Sequence, residues 1–240
     1  MGLPPEKWGF SIPIIAPLYP PPPIRWIGWK VQLVLYETAK ENISQVIPQP
    51  LEPNGNKVIA WVSYSDLSTQ GAFHEAALYV QVKYGKYSGV YEPFLYVDSE
   101  VPLTGGREIW GYQKKLAKIS LTAERETVKG EVERVGIKIM RVLSTVERPA
   151  KIEELPFGPI FSLKYIPPAE EGEKPLRQLV LVSGGELTPR PGQFFGGRGS
   201  INFEKSEIDP LYKLEPTKVI AGYYGVFDAT LPYGKIVHRY

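Results

Sequence analysis

The sequence predicts an α+β fold that is mainly antiparallel β, closed or partly closed into a barrel, with a few helices. Two observations predict it. From residue 58 onward, short runs rich in β-branched and aromatic residues recur with turn residues between them, and only two stretches carry helix signals. Taken in order, residues 4–23 are proline-rich and end in Pro20-Pro21-Pro22-Pro23. Lacking amide donors, they can form neither a regular helix nor a central strand. They read as an extended arm, packed on its own domain or strapped across a neighbouring subunit. Residues 31–36 are a mostly apolar run suited to a buried strand. Thr38-Ala39-Lys40-Glu41 then has the capping-box spacing that opens a helix, which Pro48 closes. Strands are expected over residues 58–64, 76–82, 94–97, 137–143, 160–166, 176–182 and 219–227, with residues 130–134 and 137–142 forming a hairpin about a glycine-containing turn. The second helix is expected over residues 99–110, capped by Asp98 or Ser99 and ended by a left-handed Gly111. Gly105 and Gly106 inside it imply close packing against another element, since each costs about 1 kcal/mol relative to alanine. Residues 112–116 should then enter the interior as an extended segment. Gly184-Gly185 and Gly196-Gly197-Arg198-Gly199 have neither phosphate-loop nor dinucleotide-binding spacing and read as turns.

Composition removes several classes of function. A chain of 240 residues with 43% hydrophobic and 22% charged residues can bury a substantial core, and no linker-like shift divides it. One domain spanning residues 1–240 is expected, residues 1–23 being its arm. A formal charge of +2 offers no basic face for nucleic acid. There is no cysteine, and His74 and His238 are the only histidines, so thiolate chemistry is excluded and no metal or other cofactor is expected. No apolar run approaches the roughly 18 residues needed to span a bilayer, and no basic and apolar leader opens the chain. A cytoplasmic protein without membrane association is expected.

The most informative stretch is Gly106-Arg107-Glu108-Ile109-Trp110-Gly111-Tyr112-Gln113-Lys114-Lys115. A lysine that attacks a carbonyl carbon must be neutral, yet at an ordinary pKa of about 10.4 only about one in 2,500 is neutral at pH 7. Burial can act over up to about 3–5 pH units, whereas a second ammonium about 6 Å away acts over roughly two or fewer. Desolvation is therefore expected to dominate. In an extended segment, Lys114 and Lys115 point to opposite faces.

A Lys-Lys pair behind Gly-Arg-Glu, read with Tyr91-Glu92-Pro93-Phe94-Leu95-Tyr96-Val97-Asp98, resembles the acetoacetate decarboxylase family. Val46-Ile47-Pro48-Gln49-Pro50-Leu51-Glu52, His74-Glu75-Ala76, residues 161–167 and Leu231-Pro232 extend the resemblance along nearly the whole chain. It implies a cofactor-independent lyase that forms an imine between Lys114 and a keto substrate. The imine withdraws electrons so that a β-keto acid loses carbon dioxide as an enamine, and lysine activation of this kind is known in that family. The resemblance further implies Lys115 as an electrostatic or structural neighbour, Glu75 as the carboxylate that orients substrate or moves a proton, and a homo-oligomer. Arg107 and Glu108 are read as an ion pair holding the helix, and Trp110 and Tyr112, which bracket Gly111, as pocket walls.

The chain departs from the family pattern at three places. In a register keyed on Tyr36 and Thr38, an arginine position holds Trp29 and an acidic position holds Ala60; Gln113 replaces the usual proline before the lysine pair. Arg25 is then a candidate replacement cation or an exposed charge beside the arm. Trp26, Trp29 and Trp61 suit a larger, less polar substrate, and Gln113 could hydrogen-bond it. Decarboxylation of acetoacetate or a related β-keto acid is the expected reaction. An imine-forming aldolase-dehydratase and a non-catalytic barrel that binds an apolar ligand remain the alternatives.

Overall fold

A computed structural model describes residues 2–240. The strands are β1 (Ile24–Glu37), β2 (Glu52–Ser65), β3 (Leu67–Ser68), β4 (Phe73–Tyr84), β5 (Tyr87–Val97), β6 (Lys114–Leu116), β7 (Lys118–Glu124), β8 (Thr127–Arg134), β9 (Ile137–Thr145), β10 (Arg148–Pro149), β11 (Ile160–Ile166), β12 (Leu176–Val182), β13 (Glu186–Gly197), β14 (Gly199–Asn202), β15 (Lys218–Leu231) and β16 (Lys235–Arg239). Two short helices, α1 (Lys40–Ser44) and α2 (Glu100–Gly105), interrupt them.

One large sheet runs in the order β10-β13-β15-β1-β2-β4-β5-β11-β12-β16, with β3 beside β1 and β6 beside β5. Its pairs are antiparallel except those of β5 with β6 and β11. A second sheet of four strands runs β14-β9-β8-β7. The mainly antiparallel α+β expectation holds, but the barrel does not. The end strands β10 and β16 do not pair, so among the described residues no sheet closes on itself. β10 is two residues long and ends in Pro149, which has no amide to donate, and such a strand terminates a ladder.

The apolar runs are nearly continuous because the large sheet is buried on both faces. Val31, Leu33, Ile59, Trp61, Ala77 and Leu95 face one way, into a core that surrounds a cavity. Val34, Tyr36, Val58, Ala60, Leu78 and Tyr96 face the other way and meet Ile119, Val132, Ile139 and Val142 of the four-stranded sheet.

Two β-bulges break this alternation where it matters for the site. In β1, Trp26 pairs with Ala229 and Trp29 with Phe227, so Ile27 and Gly28 together oppose Asp228. Gly28 has φ +70°, and its amide donates to Asp228 Oδ1 at 2.8 Å. Residues three apart on a regular strand face opposite ways; the bulge turns Trp26 and Trp29 to the same side, where their rings stack at 4.9 Å and 14°. In β5, Tyr91 pairs with Val80 and Phe94 with Leu78, leaving Glu92 and Pro93 opposite Tyr79 alone. Glu92 and Leu95 therefore share the cavity side.

The expected helices are shorter than predicted. Ala39, not Thr38, precedes α1, because the Thr38 hydroxyl donates to the Glu215 carbonyl at 2.8 Å and no side chain caps the helix. α2 gives way to a π-helical turn over Gly106–Trp110, and Gly111 closes it at φ +85° and ψ +25°, in the left-handed conformation expected. No side chain at Gly111 could fit, since a Cβ there would lie 2.1 Å from the Lys164 Cα. The strands over residues 160–166 and 176–182 form as predicted, and β8 and β9 make the expected hairpin. Gly196 and Gly197 lie within β13 and pair with β15, so they are not turn residues. Among its described residues the arm carries a short 3-10 helix, Pro5–Lys7, a turn at Ile14 and Ile15, and no strand before Ile24. Its Tyr19 is buried against Gly105, and its hydroxyl donates to Glu108 Oε2.

Candidate active site

The left-handed Gly111 ends the π-helical turn and sends the chain into β6, which runs parallel to β5 with Lys114 opposite Leu95. Lys114 is thereby buried, at 6% exposure, in the wall of a cavity of about 480 Å³. Its Nζ donates to Glu75 Oε2 at 2.9 Å, and Glu75, on β4, is itself 7% exposed. The Lys114 side chain fits only because residue 106 has none: a Cβ there would stand 2.7 Å from Lys114 Cδ and 2.8 Å from Cε. This is the close packing that the paired glycines implied. Arg107 Nη1 donates to the Lys114 carbonyl at 3.1 Å, so it holds the lysine's backbone and does not pair with Glu108, whose carboxylate takes the Tyr19 hydroxyl instead.

Among the residues singled out from sequence, Lys114, Glu75, Trp29, Trp110 and Tyr112 come together around the cavity. Trp110 stacks on Tyr112 at 5.7 Å, and its indole donates to the Pro232 carbonyl at 2.9 Å. Burial, then the nearby Glu92 and Glu75 carboxyls, push the Tyr112 hydroxyl well above the usual phenol range, and that hydroxyl has no hydrogen-bond partner.

Three assignments are corrected. Arg25 is exposed on the strand face opposite its neighbours Ile24 and Trp26 and does not line the cavity. Lys115 also lies outside it: alternation along β6 turns the side chain away, and its Nζ donates to Asp209 Oδ1 at 2.8 Å and to the Ile208 carbonyl at 2.9 Å. It cannot act as a like-charged neighbour inside the cavity. Gln113 does not line the cavity either; its amide reaches only toward the Leu163 carbonyl, at 3.5 Å. Ala60, read from sequence as standing at the family's acidic position, does not reach the cavity. Ala60 packs on the far face of β2, and Trp61 is the residue that faces the cavity.

Several cavity residues went unassigned in the sequence. Tyr79 and Phe157 complete an aromatic wall with Trp26, Trp29 and Trp61. Glu92 is the more consequential. It is fully buried, lines the same cavity, and no other residue hydrogen-bonds either carboxyl oxygen. Burial foremost, with Glu75 adding to it against the opposing pull of Lys114, holds its carboxyl well above the usual carboxylate range. A signal was present in the sequence, since Glu92 is a lone carboxylate followed by a proline within an apolar strand. Among the described residues, Lys114 is the only cation lining the cavity, against the carboxyls of Glu75, Glu92, Glu153 and Glu186.

This arrangement provides a dry amine with a carboxylate in proton-transfer reach, inside an aromatic chamber. Comparison with known proteins places it in context. Residues 11–240 match the family model described as acetoacetate decarboxylase. Acetoacetate decarboxylase 1 of Mesorhizobium japonicum is 27% identical over 236 residues, covering 96% of this chain and 94% of its own. The crystal structure of acetoacetate decarboxylase from Legionella pneumophila superposes with a TM-score of 0.84 at 29% identity, over 96% of this chain and 94% of that one. The enduracididine biosynthesis enzyme MppR, solved with the condensation product of pyruvate and imidazole 4-carboxaldehyde, has the same fold, with a TM-score of 0.82 at 20% identity over 95% of each chain.

Proposed function

This chain belongs to the acetoacetate decarboxylase family, and from that membership we propose that it is a carboxy-lyase in which Lys114 forms an imine with a β-keto acid. The observation that carries the reading is the buried Lys114–Glu75 pair at 2.9 Å, facing a cavity with no second cation among the described residues. Glu75 takes a proton from the ammonium and leaves the amine free to attack the ketone carbon. Glu75 returns that proton to the departing hydroxyl, and loss of water gives the protonated imine. The bond between the α-carbon and the carboxylate then breaks, its electron pair forming the enamine as carbon dioxide leaves.

The dimensions of the chamber bear on the substrate. A cavity of about 480 Å³ walled by Trp26, Trp29, Trp61, Tyr79 and Phe157 exceeds what acetoacetate needs. We read the preferred substrate as a β-keto acid with a bulky apolar substituent. Apolar surroundings also favour release of carbon dioxide, because the negative charge of the carboxylate is lost in that step. The same chamber could hold a condensation product, and an aldolase-dehydratase acting through the Lys114 imine is the second reading. The two separate on whether carbon dioxide or a condensed product appears.

Borohydride reduction in the presence of acetoacetate and an aryl-substituted β-keto acid, followed by peptide mass analysis, tests the nucleophile. A reduced adduct is expected on Lys114, and none on a Lys114→Ala variant. An unmodified parent protein under turnover conditions would remove the assignment. Self-association belongs to the same reading: the arm leaves Trp8, Phe10, Ile12 and Ile15 exposed. Sedimentation should report a homo-oligomer, and a monomer would refute that part.

A further inference from the structure

The imine mechanism leaves one step without an agent, because the enamine must receive a proton at carbon after carbon dioxide has left. We propose that Glu92 is the catalytic acid of this site, delivering that proton from its neutral carboxyl to the α-carbon of the enamine on Lys114. The proposal rests on the Lys114 reading and adds to it a residue that the sequence reading did not assign.

Placement comes first. Lys114 is opposite Leu95 on β5, and Glu92 lies three residues away on that strand across a bulge that shortens the span. The bulge at Glu92 and Pro93 brings Glu92 to the same side as Leu95; on a regular strand it would face away. A substrate carbon attached to Lys114 Nζ extends the lysine into the chamber that Glu92 lines.

Protonation states come second. Glu75 accepts a hydrogen bond from Lys114 Nζ at 2.9 Å and is engaged at the nitrogen. The carbon needs a separate donor. Glu92 has no cationic partner, no hydrogen bond from another residue and no access to water, so its proton is retained. One carboxyl engaged by the lysine nitrogen and a second without a partner divide the work at nitrogen from the work at carbon. Tyr79 and Tyr112 also line the chamber, but burial and the neighbouring carboxyls raise both phenols further above an already high ordinary range.

The step balances. The enamine π pair forms the new C–H bond with the proton of Glu92, the nitrogen becomes iminium, and Glu92 is left as carboxylate. Water then adds to the iminium carbon. Its oxygen becomes the ketone oxygen, one proton completes the Lys114 amine and the other returns to Glu92.

The experiment compares the parent with Glu92→Gln, which keeps the volume and removes the acid. In deuterated buffer with butanone as probe, the parent should exchange the ketone's α-protons for deuterium, since this is the reverse of enamine protonation. Glu92→Gln should still be trapped by borohydride on Lys114 with butanone, while exchange falls by about 10²-fold or more. Retained trapping shows that the variant is folded and its nucleophile intact. Exchange within about threefold of the parent, or trapping and exchange lost in equal proportion, would overturn the proposal. A parent that is never trapped removes the enamine and sinks both readings, an outcome distinct from a trapped parent whose variant exchanges normally. An infrared difference spectrum of parent against Glu92→Gln at pH 7 should contain the carbonyl stretch of a protonated acid. Its absence refutes the donor whatever Lys114 does.

Discussion

At the scale of the residue, Lys114 and Gly106 are one device. The lysine can lie beside Glu75 only while position 106 offers no Cβ, so Gly106→Ala tests the site while leaving every reacting group chemically unchanged. Overpacking of this kind costs about 1–3 kcal/mol. Displacing Nζ from Glu75 by a fraction of its 2.9 Å contact should slow imine trapping by about 10²-fold. Trapping at the parent rate would show that the close contact with Lys114 carries no positional role. Glu92 makes a second prediction, about stability. Its carboxyl is raised in the folded protein, so between the ordinary carboxylate value and the folded value the native state holds the extra proton. Stability is then lost as pH rises through that window, and it is undiminished below the ordinary value. The difference in unfolding free energy between Glu92→Gln and the parent should therefore shift in the variant's favour from pH 4 to pH 8. A difference independent of pH would mean that Glu92 ionises freely when buried.

The elements contribute by breaking their own periodicity. Trp26 and Trp29, and likewise Glu92 and Leu95, are spaced three apart, a spacing that a flat strand cannot bring to one face. A bulge in each strand restores the common face. In β1 the bulge depends on a left-handed residue at 28, where Gly28→Val would be strained by about 1–2 kcal/mol. That variant should unfold at lower urea and lose near-ultraviolet circular dichroism from the stacked indoles, with imine trapping on Lys114 slowed less than in Gly106→Ala. Unchanged urea midpoint and dichroism would mean that the bulge forms without glycine. The π-helical turn works in the same way, since the extra residue it accommodates brings Gly111 to the place where β6 begins.

Across the whole molecule, a second buried carboxylate ties the two sheets together on the side away from the cavity. Asp209 is fully buried and accepts from Lys115 at 2.8 Å, Arg134 at 3.2 Å and the Tyr96 hydroxyl at 3.1 Å. Burial alone would raise its pKa, but the hydrogen bonds from Lys115 and Arg134 outweigh it and hold the carboxyl below its ordinary value. A lowered folded value contributes stability that is present above the unfolded pKa and lost as pH falls through the folded one. Asp209→Asn should therefore be less stable than the parent at pH 7, with the gap closing in strong acid. Denaturant titrations at pH 7 and pH 2.5 check this, and an equal gap at both would refute it. Lys115 thus serves the fold, and its replacement should cost stability while leaving imine trapping on Lys114 largely intact.

The β-rich class, the left-handed stop at Gly111 and the extended exit after it were legible in the sequence through local stereochemistry, and the family resemblance pointed to the lysine pair and Glu75. It also separated Lys114 from Lys115, since alternation along a strand is a local rule. What it could not determine depends on phase and on distant partners. Arg25 and Gln113 fall outside the cavity, Trp61 and not Ala60 faces it, and the bulge at Glu92 and Pro93 turns Glu92 into it, because the phase of a strand decides which face a side chain takes. The open edge of the large sheet and the meeting of two buried carboxyls, Glu75 and Glu92, with one amine became visible at the tertiary level, since desolvation is a property of everything packed around a group and not of its neighbours in the chain.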